Sequence, residues 1–316
     1  MILTVTLNAS IDKLYLMESI TPDTVMRVKE VHNTAGGKGL NVSKVAALLG
    51  EPVTAMGFTG GFNGRYLESL AARPLVRCAF THVEEETRSC INCWDLSTGR
   101  STEYLEPGEP VSPEDVDRFF SDFDAVLPSA DVVAVSGSIP KGVPEDAYCE
   151  IIRRCRKKGV PAMIDTSGNR LILSVREHPF FIKPNEDEIA QLTGRSFTSA
   201  SGEIMYEEIT DALVSLHKDG IAFAVHSMGE DGALLACGEG VFRGRPPKII
   251  PRNTVGCGDS MVAGFAVGFA RRLPVEETFR MALAVSAANA LSIFTGDFDP
   301  ADYARLLPLV TVEQIR

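Results

Sequence analysis

The sequence predicts an α/β fold: a doubly wound, mostly parallel sheet flanked by helices, carrying a small antiparallel lid. Three observations lead there. From Ser112 onward helical stretches alternate with short apolar runs, the pattern produced by right-handed crossovers between parallel strands. Several of these runs break abruptly into polar residues, which gathers polar groups along the sheet edge where open α/β sheets bind ligands. Segments at about 12–33 and 88–106 have strand character but are too polar for a central sheet, and they form the lid. With 316 residues, 45% hydrophobic and 23% charged, the chain can bury a sizeable core. Residues 1–316 read as one domain with the lid inserted in it.

The first strand, Ile2 to Leu7, ends at Asn8-Ala9-Ser10-Ile11-Asp12 and leaves Asp12 just past its carboxyl end. Lys13 to Met17 and Val25 to His32 are lid segments. Ala35-Gly36-Gly37-Lys38-Gly39-Leu40-Asn41-Val42 then opens a helix that stops at Gly50. A Walker phosphate loop is excluded, because Gly39 stands where that motif needs Ser or Thr. Here the glycines allow close approach of backbone to a ligand, while Lys38 and Asn41 offer a charge and an amide to sugar hydroxyls or phosphate. A glycine-rich helix entry with a solvated lysine is the plainer alternative.

Val53 to Phe58 is the next strand, and Gly60 to Gly64 a turn. Arg88 to Asp95 and Ser101 to Leu105 flank Leu96-Ser97-Thr98-Gly99-Arg100 as a hairpin of the lid. Arg27 and Arg88 thus both lie on lid strands, each either a phosphate clamp or a surface charge. A helix from Pro113 to about Leu127 precedes the strand Asp131 to Val135, and one from Pro144 to Lys158 precedes Val160 to Ile164. The strand ends are Ser136-Gly137-Ser138, Asp165, Lys183-Pro184-Asn185 with Glu188, and His226-Ser227-Met228-Gly229. Asn185 and Glu188 suit a water-coordinated Mg²⁺ on nucleotide phosphates. They suit an ordinary capping box equally well.

Gly232 to Cys237 and Gly240 to Arg243 read as a hairpin. Asn253 to Ser260 follows, in which Gly256 and Gly258 flank Cys257, a carboxylate (Asp259) comes next, and an apolar helical pattern begins. Such a loop turns its amides toward an anion at a helix start. Asp259 then stands where a proton can be taken. Gly264 and Gly268 share one face of this helix and permit close packing, and Glu276 to Phe294 forms an alanine-rich helix.

Composition removes several function classes. A formal charge of −11 argues against nucleic acid and requires any phosphate site to be locally basic. No apolar run approaches the roughly 20 residues that span a bilayer. Met1 to Leu7 reads as a strand without the features of a signal peptide, so the expected location is cytoplasmic. The seven cysteines have no repeating spacing, which fits a reduced compartment. Cys90 and Cys93 match C-x-x-C, but on a strand they face opposite sides and neither chelate nor pair. The five histidines show no ligand spacing. A dinucleotide fold is excluded because no G-x-G-x-x-G follows the first strand.

Five short motifs occur in order: Thr6-Leu7-Asn8 with Asp12; Gly36-Gly37-Lys38-Gly39 with Asn41-Val42; Ser136-Gly137-Ser138-Ile139-Pro140; Lys183-Pro184-Asn185 with Glu188; and Thr254-Val255-Gly256-Cys257-Gly258-Asp259-Ser260. Together they resemble the PfkB (ribokinase-like) carbohydrate kinases, in the branch of 1-phosphofructokinases and tagatose-6-phosphate kinases, over nearly the whole chain. The resemblance implies that Asp259 is the general base, taking the proton of a sugar hydroxymethyl as it attacks the γ-phosphate of ATP. It makes the amides of Gly256, Cys257 and Gly258 the anion hole. Asp12, Gly37, Lys38 and Asn41 become sugar contacts and Arg88 the phosphate-binding arginine, with Arg27 and Ser138 beside them.

Lys183, Asn185 and Glu188 match nucleotide and Mg²⁺ positions, and Ser227, Gly229 and Gly232, with Gly258, match the path of ATP. The lid resembles one that excludes water and often joins two copies into a homodimer. Residues around Arg88 and Lys38 lean toward tagatose 6-phosphate, and the Asp259 motif toward fructose 1-phosphate, which is favoured. A catalytically inactive sugar-phosphate or nucleotide-binding regulator is the remaining alternative. Cys257 stands where the family usually has alanine or serine, and at a helix start its thiol is expected to be acidified.

Overall fold

The computed structural model describes residues 1–198 and 204–316. Its first third contains β1 (Ile2–Thr6), β2 (Ser10–Met17), β3 (Glu30–Gly36), α1 (Lys38–Leu48), β4 (Val53–Gly60), α2 (Gly61–Ala71), β5 (Val76–Cys78), β6 (Thr81–Val83), β7 (Ser89–Asp95) and β8 (Arg100–Leu105). Next come α3 (Pro113–Val126), β9 (Val132–Ser136), α4 (Ala147–Lys158), β10 (Ala162–Asp165), α5 (Asn169–Val175), β11 (Phe181–Ile182), α6 (Glu186–Thr193), α7 (Tyr206–Lys218) and β12 (Phe223–Ser227). The chain closes with β13 (Ala233–Cys237), β14 (Gly240–Arg245), α8 (Cys257–Ala270), α9 (Val275–Leu291), α10 (Pro300–Leu306) and β15 (Thr311–Gln314).

The main sheet runs β15-β14-β13-β12-β11-β10-β9-β1-β4-β5, with β6 beside the end of β4. From β12 to β5 every pairing is parallel, and β13 to β15 add an antiparallel edge. Parallel strands must be covered on both faces, and β1, β4 and β9 are buried at every residue. One face packs Phe119, Phe123, Tyr148, Ile151, Ile189 and Leu213 from α3, α4, α6 and α7. The other packs Val42, Val45, Phe265, Phe279 and Leu283 from α1, α8 and α9. Strand order reverses at β1, whose neighbours are β4 on one side and β9 on the other, and ligand crevices form at such a switch point.

The lid is a four-stranded sheet, β3-β2-β7-β8. Its outer pairings are antiparallel and its central pair, β2 with β7, is parallel. The second lid strand and the turn at Gly60 to Gly64 differ from the sequence-based expectation. The second lid strand starts at Glu30 rather than Val25, because Asp23 (φ 59°) and the Thr24 hydroxyl on the Thr21 carbonyl hold the preceding chain in a turn, leaving Val25 92% exposed. Gly61 to Gly64 is the first turn of α2 rather than a free turn. Its amides are capped from a distance, since the Glu86 carboxylate accepts from Phe62 and Asn63 N–H at 2.9 Å each. Close packing of α8 on α9 is as expected: a Cβ at Gly264 would lie 2.5 Å from Ala282 Cα, and one at Gly268 2.4 Å from Thr278 Cγ2.

Candidate active site

A cavity of about 730 Å³ opens between the carboxyl edge of the sheet and the lid. The close approach of α1 to β1 shapes one wall. A Cβ at Gly39 would lie 2.6 Å from the Val5 carbonyl oxygen, so only glycine lets the helix start there. That start places Lys38 in the wall and Asn41 behind it, 5% exposed. Glycine at 36 leaves room for the Asp12 carboxyl, since a Cβ would fall 1.9 Å from Asp12 Cγ. Asp12 accepts from Ser10 Oγ at 2.6 Å. Burial raises its carboxyl above the usual range, against the pull of Ser10, Lys44 and Arg88.

Arg88 is anchored from below. Its Nη1 and Nη2 donate to the carbonyls of Glu106 (2.7 Å) and Asn8 (2.9 Å), while buried Nε has no partner. The remaining N–H groups on its two terminal nitrogens leave donors for an anion. Asn8 Nδ2 in turn donates to Ser138 Oγ at 3.1 Å, so Arg88 and Ser138 line one end of the cavity together.

The wall also holds two lysines and a carboxylate. Asp165, 3% exposed at the end of β10, is 3.2 Å from Lys183 Nζ and 3.9 Å from Lys38 Nζ. Burial works to raise its carboxyl, but the two ammonium groups overcome it and hold the group ionised below the ordinary range. Lys38 is correspondingly raised, chiefly by Asp165. Asp259 stands beside them on the first turn of α8, entered through Gly256 in the left-handed region (φ 82°). Asn41 Nδ2 donates to Asp259 Oδ2 at 2.8 Å. Burial and then Asp165 lift the Asp259 carboxyl to about 6, with Lys38, Asn41 and Lys183 opposing.

The anion turn is braced from α9. Asn289, fully buried, donates from Nδ2 to the Val255 carbonyl (3.0 Å) and the Cys257 thiol (3.4 Å), and its Oδ1 accepts from Asp297 N–H. Ser286 Oγ donates to the Cys257 carbonyl at 3.0 Å. The Cys257 side chain is thus turned toward α9 and away from the cavity wall. Burial raises its thiol, which corrects the expectation of an acidified cysteine at the helix start.

Asn185 and Glu188 form the capping box: Glu188 N–H donates to Asn185 Oδ1 and Asn185 N–H to Glu188 Oε2, both at 2.9 Å. Both residues also line the cavity, as do Lys183 and Ser227. Gly229 and Gly232 lie outside its wall. Gly232 answers to the β-hairpin instead, since a Cβ there would be 2.0 Å from the Gly244 carbonyl oxygen. Arg27 sits exposed on the loop between β2 and β3 and is not among the residues lining the cavity. Cys90 and Cys93 are free thiols on β7, and no group of three metal-binding side chains occurs among the described residues.

Sequence reasoning named Asp165 only as a strand end and missed Lys44 and Asn289. The one signal for either is a polar residue inside an otherwise apolar helix. It also missed Asn92, Trp94 and Glu103, which the lid presents to the cavity. Taken together, the site offers helix-start amides for an anion, two tethered lysines and, in Asp259, a buried carboxylate raised to about 6 beside them; burial raises Asp12 and Glu188 in the same wall.

Comparison with known proteins narrows what such a site serves. The chain superposes on Escherichia coli phosphofructokinase-2 in complex with potassium (TM-score 0.89, 26% identity, 98% of each chain covered). The same enzyme in complex with fructose-6-phosphate gives a TM-score of 0.86 at 25% identity, again over 98% of each chain. A Thermotoga maritima protein described as "Possible 1-phosphofructokinase" matches with a TM-score of 0.83 at 27% identity, covering 100% of this chain and 99% of that one. Residues 4–301 match the profile of the pfkB family carbohydrate kinases, and the chain belongs to that family.

Proposed function

We propose that this kinase transfers the γ-phosphoryl group of ATP to a ketohexose phosphate, giving a ketohexose bisphosphate, with fructose 1-phosphate preferred over tagatose 6-phosphate. The observation that carries this reading is the placement of Asp259: a carboxylate with a pKa near 6, oriented by Asn41, at the mouth of an anion-binding turn and facing Lys38 and Lys183. Phosphoryl transfer needs positioning and charge neutralisation more than covalent help. Arg88 and Ser138 hold the phosphate the sugar already carries, and Asp12 orients its hydroxyls. That leaves the far hydroxymethyl at Asp259. Asp259 accepts the hydroxyl proton as the oxygen attacks, and the Gly256 to Gly258 amides with Lys38 and Lys183 stabilise charge on the transferring group.

Mg²⁺ fits the residues present. Glu188 is 7% exposed in the cavity wall and only its Oε2 is used in the cap. A single carboxylate with no protein cage suits an ion held mainly by phosphates and water, with Asn185 and Glu188 reaching it through water. When bound, the ion would neutralise charge on the ATP phosphates. Ser227 and Lys183 are the remaining nucleotide contacts.

The sugar phosphate, ATP and a second copy of the chain through the lid are the partners of this reading, in the cytoplasm. No helix among the described residues is long and apolar enough to cross a membrane, and the net charge of −11 disfavours nucleic acid. A regulator without catalysis has no use for a carboxylate poised beside the anion turn. The deciding experiment is a coupled ADP-release assay with fructose 1-phosphate, tagatose 6-phosphate and fructose 6-phosphate. Turnover is expected with all the ATP-dependent signal on a ketohexose phosphate and the highest kcat/KM for fructose 1-phosphate; ADP release with none of the three would overturn the reading.

A further inference from the structure

Lys44 is the one charged residue in the buried stretch of α1, 4% exposed. Its Nζ donates to the Thr295 carbonyl at 2.9 Å. Thr295 and Gly296 follow α9 and are wedged between α1 and the anion turn. A Cβ at Gly256 would meet Thr295 Cγ2 at 2.8 Å and Gly296 N at 2.9 Å, and a Cβ at Gly296 would meet Asn41 Cβ at 2.8 Å. This short segment therefore touches both the turn that precedes Asp259 and the asparagine that orients it. Three acids face the ammonium: Asp12 from β2, Asp259 from α8 and Asp297 from the segment after α9. Arg73, after α2, is the opposing charge.

We propose that Lys44 is a positioning residue, whose ammonium holds the Thr295–Gly296 segment against the anion turn and thereby fixes the Asn41–Asp259 pair. Lys44 does not line the cavity, so it acts through that segment. A hydrogen bond from an ammonium to a buried carbonyl is roughly twice as strong as its neutral counterpart, and the neutral amine holds the segment less firmly. Burial lowers Lys44 to about 8, partly countered by Asp12, Asp297 and Asp259 and reinforced by Arg73. The clamp is therefore expected to weaken within an experimentally accessible alkaline range. Its kinetic consequence rests on the phosphotransfer reading; its structural consequence does not.

Two variants test it, Lys44→Met and Lys44→Arg, read by hydrogen exchange and by kinetics. Lys44→Met is expected to raise amide exchange about tenfold or more in 293–297 and 255–259 while leaving β13 and β14 unchanged, and Lys44→Arg to stay near wild type. Wild-type kcat is expected to fall through an alkaline limb centred near 8 that Lys44→Arg lacks, because guanidinium stays charged. At about pH 7.5 Lys44→Met should lose about tenfold in kcat with the KM for ATP within about threefold.

Unchanged protection of 293–297 and 255–259 in Lys44→Met, or an identical alkaline limb in wild type and Lys44→Arg, would overturn the proposal. Should Lys44→Met fail to fold, wild type and Lys44→Arg compared at about pH 7 and 9, corrected for intrinsic exchange, decide it: only wild type should lose protection. A wild type that turns over none of the sugar phosphates defeats the functional reading alone, and the exchange data still judge Lys44.

Discussion

Asp259 gathers the conflict between stability and chemistry into one side chain. Its carboxyl is lifted from 3.8 to about 6 by burial and by Asp165, so the ionised form is disfavoured by the fold yet is the form that accepts a proton. kcat is therefore expected to fall as pH drops through about 6, and a pH–rate profile flat down to about pH 5 would remove Asp259 from the role. Asp259→Asn should lose about 10²–10⁴ in kcat while binding ATP and sugar, and turnover within about tenfold of wild type would remove it as base. The stability sign follows from the raised pKa: the contribution is fully present below about 4 and lost as pH rises through about 6. Asp259→Asn should thus melt above wild type at about pH 7.5, with the gap closing near pH 4, as calorimetry would show. Asp259, Lys38 and Asn41 were legible because they sit in glycine-punctuated motifs. Lys44 and Asn289 were not, because helical spacing says which face a residue takes but not which buried polar group waits across the interface.

At the scale of elements, α6 shows one pair of residues serving two purposes. The Asn185–Glu188 capping box starts the helix, and the same residues line the cavity. Glu188→Gln separates the two, since glutamine also serves at this capping position while the charge is gone. The melting temperature should stay near wild type while the KM for ATP at limiting Mg²⁺ rises severalfold; unchanged kinetics would leave Glu188 as a cap alone. Helix α8 makes the complementary case for packing. Gly264→Ala would push a methyl into Ala282, 2.5 Å from its Cα, and is expected to cost about 1–3 kcal/mol in chemical denaturation. The alternation of strands and helices after Ser112 was readable from apolar periodicity. The start of α2 was not, because its cap, Glu86, lies more than twenty residues downstream.

Across the whole molecule, charge and surface divide by location. A chain of net charge −11 places Lys38, Lys183 and Arg88 around one cavity beside Asp12, Asp165, Glu188 and Asp259, so the cavity wall is charge-balanced where the molecule as a whole is acidic, and its cations are available to offset an anionic ligand. The lid divides in the same manner. Its register sets Asp12, His32, Thr34, Asn92, Trp94 and Glu103 toward the cavity and Tyr15, Val31 and Tyr104 on the opposite face. Val31 is 52% and Tyr104 61% exposed there, on a small sheet whose edges invite pairing. A second copy seated on this outer face would cover that surface and stiffen the lid over the cavity. Sedimentation at micromolar concentration is expected to give a species of twice 34.2 kDa, and Val31→Glu with Tyr104→Glu to give the monomer, since like charges would then meet across the pairing face. A monomeric wild type, or a double variant that still pairs, would place any association elsewhere on the molecule.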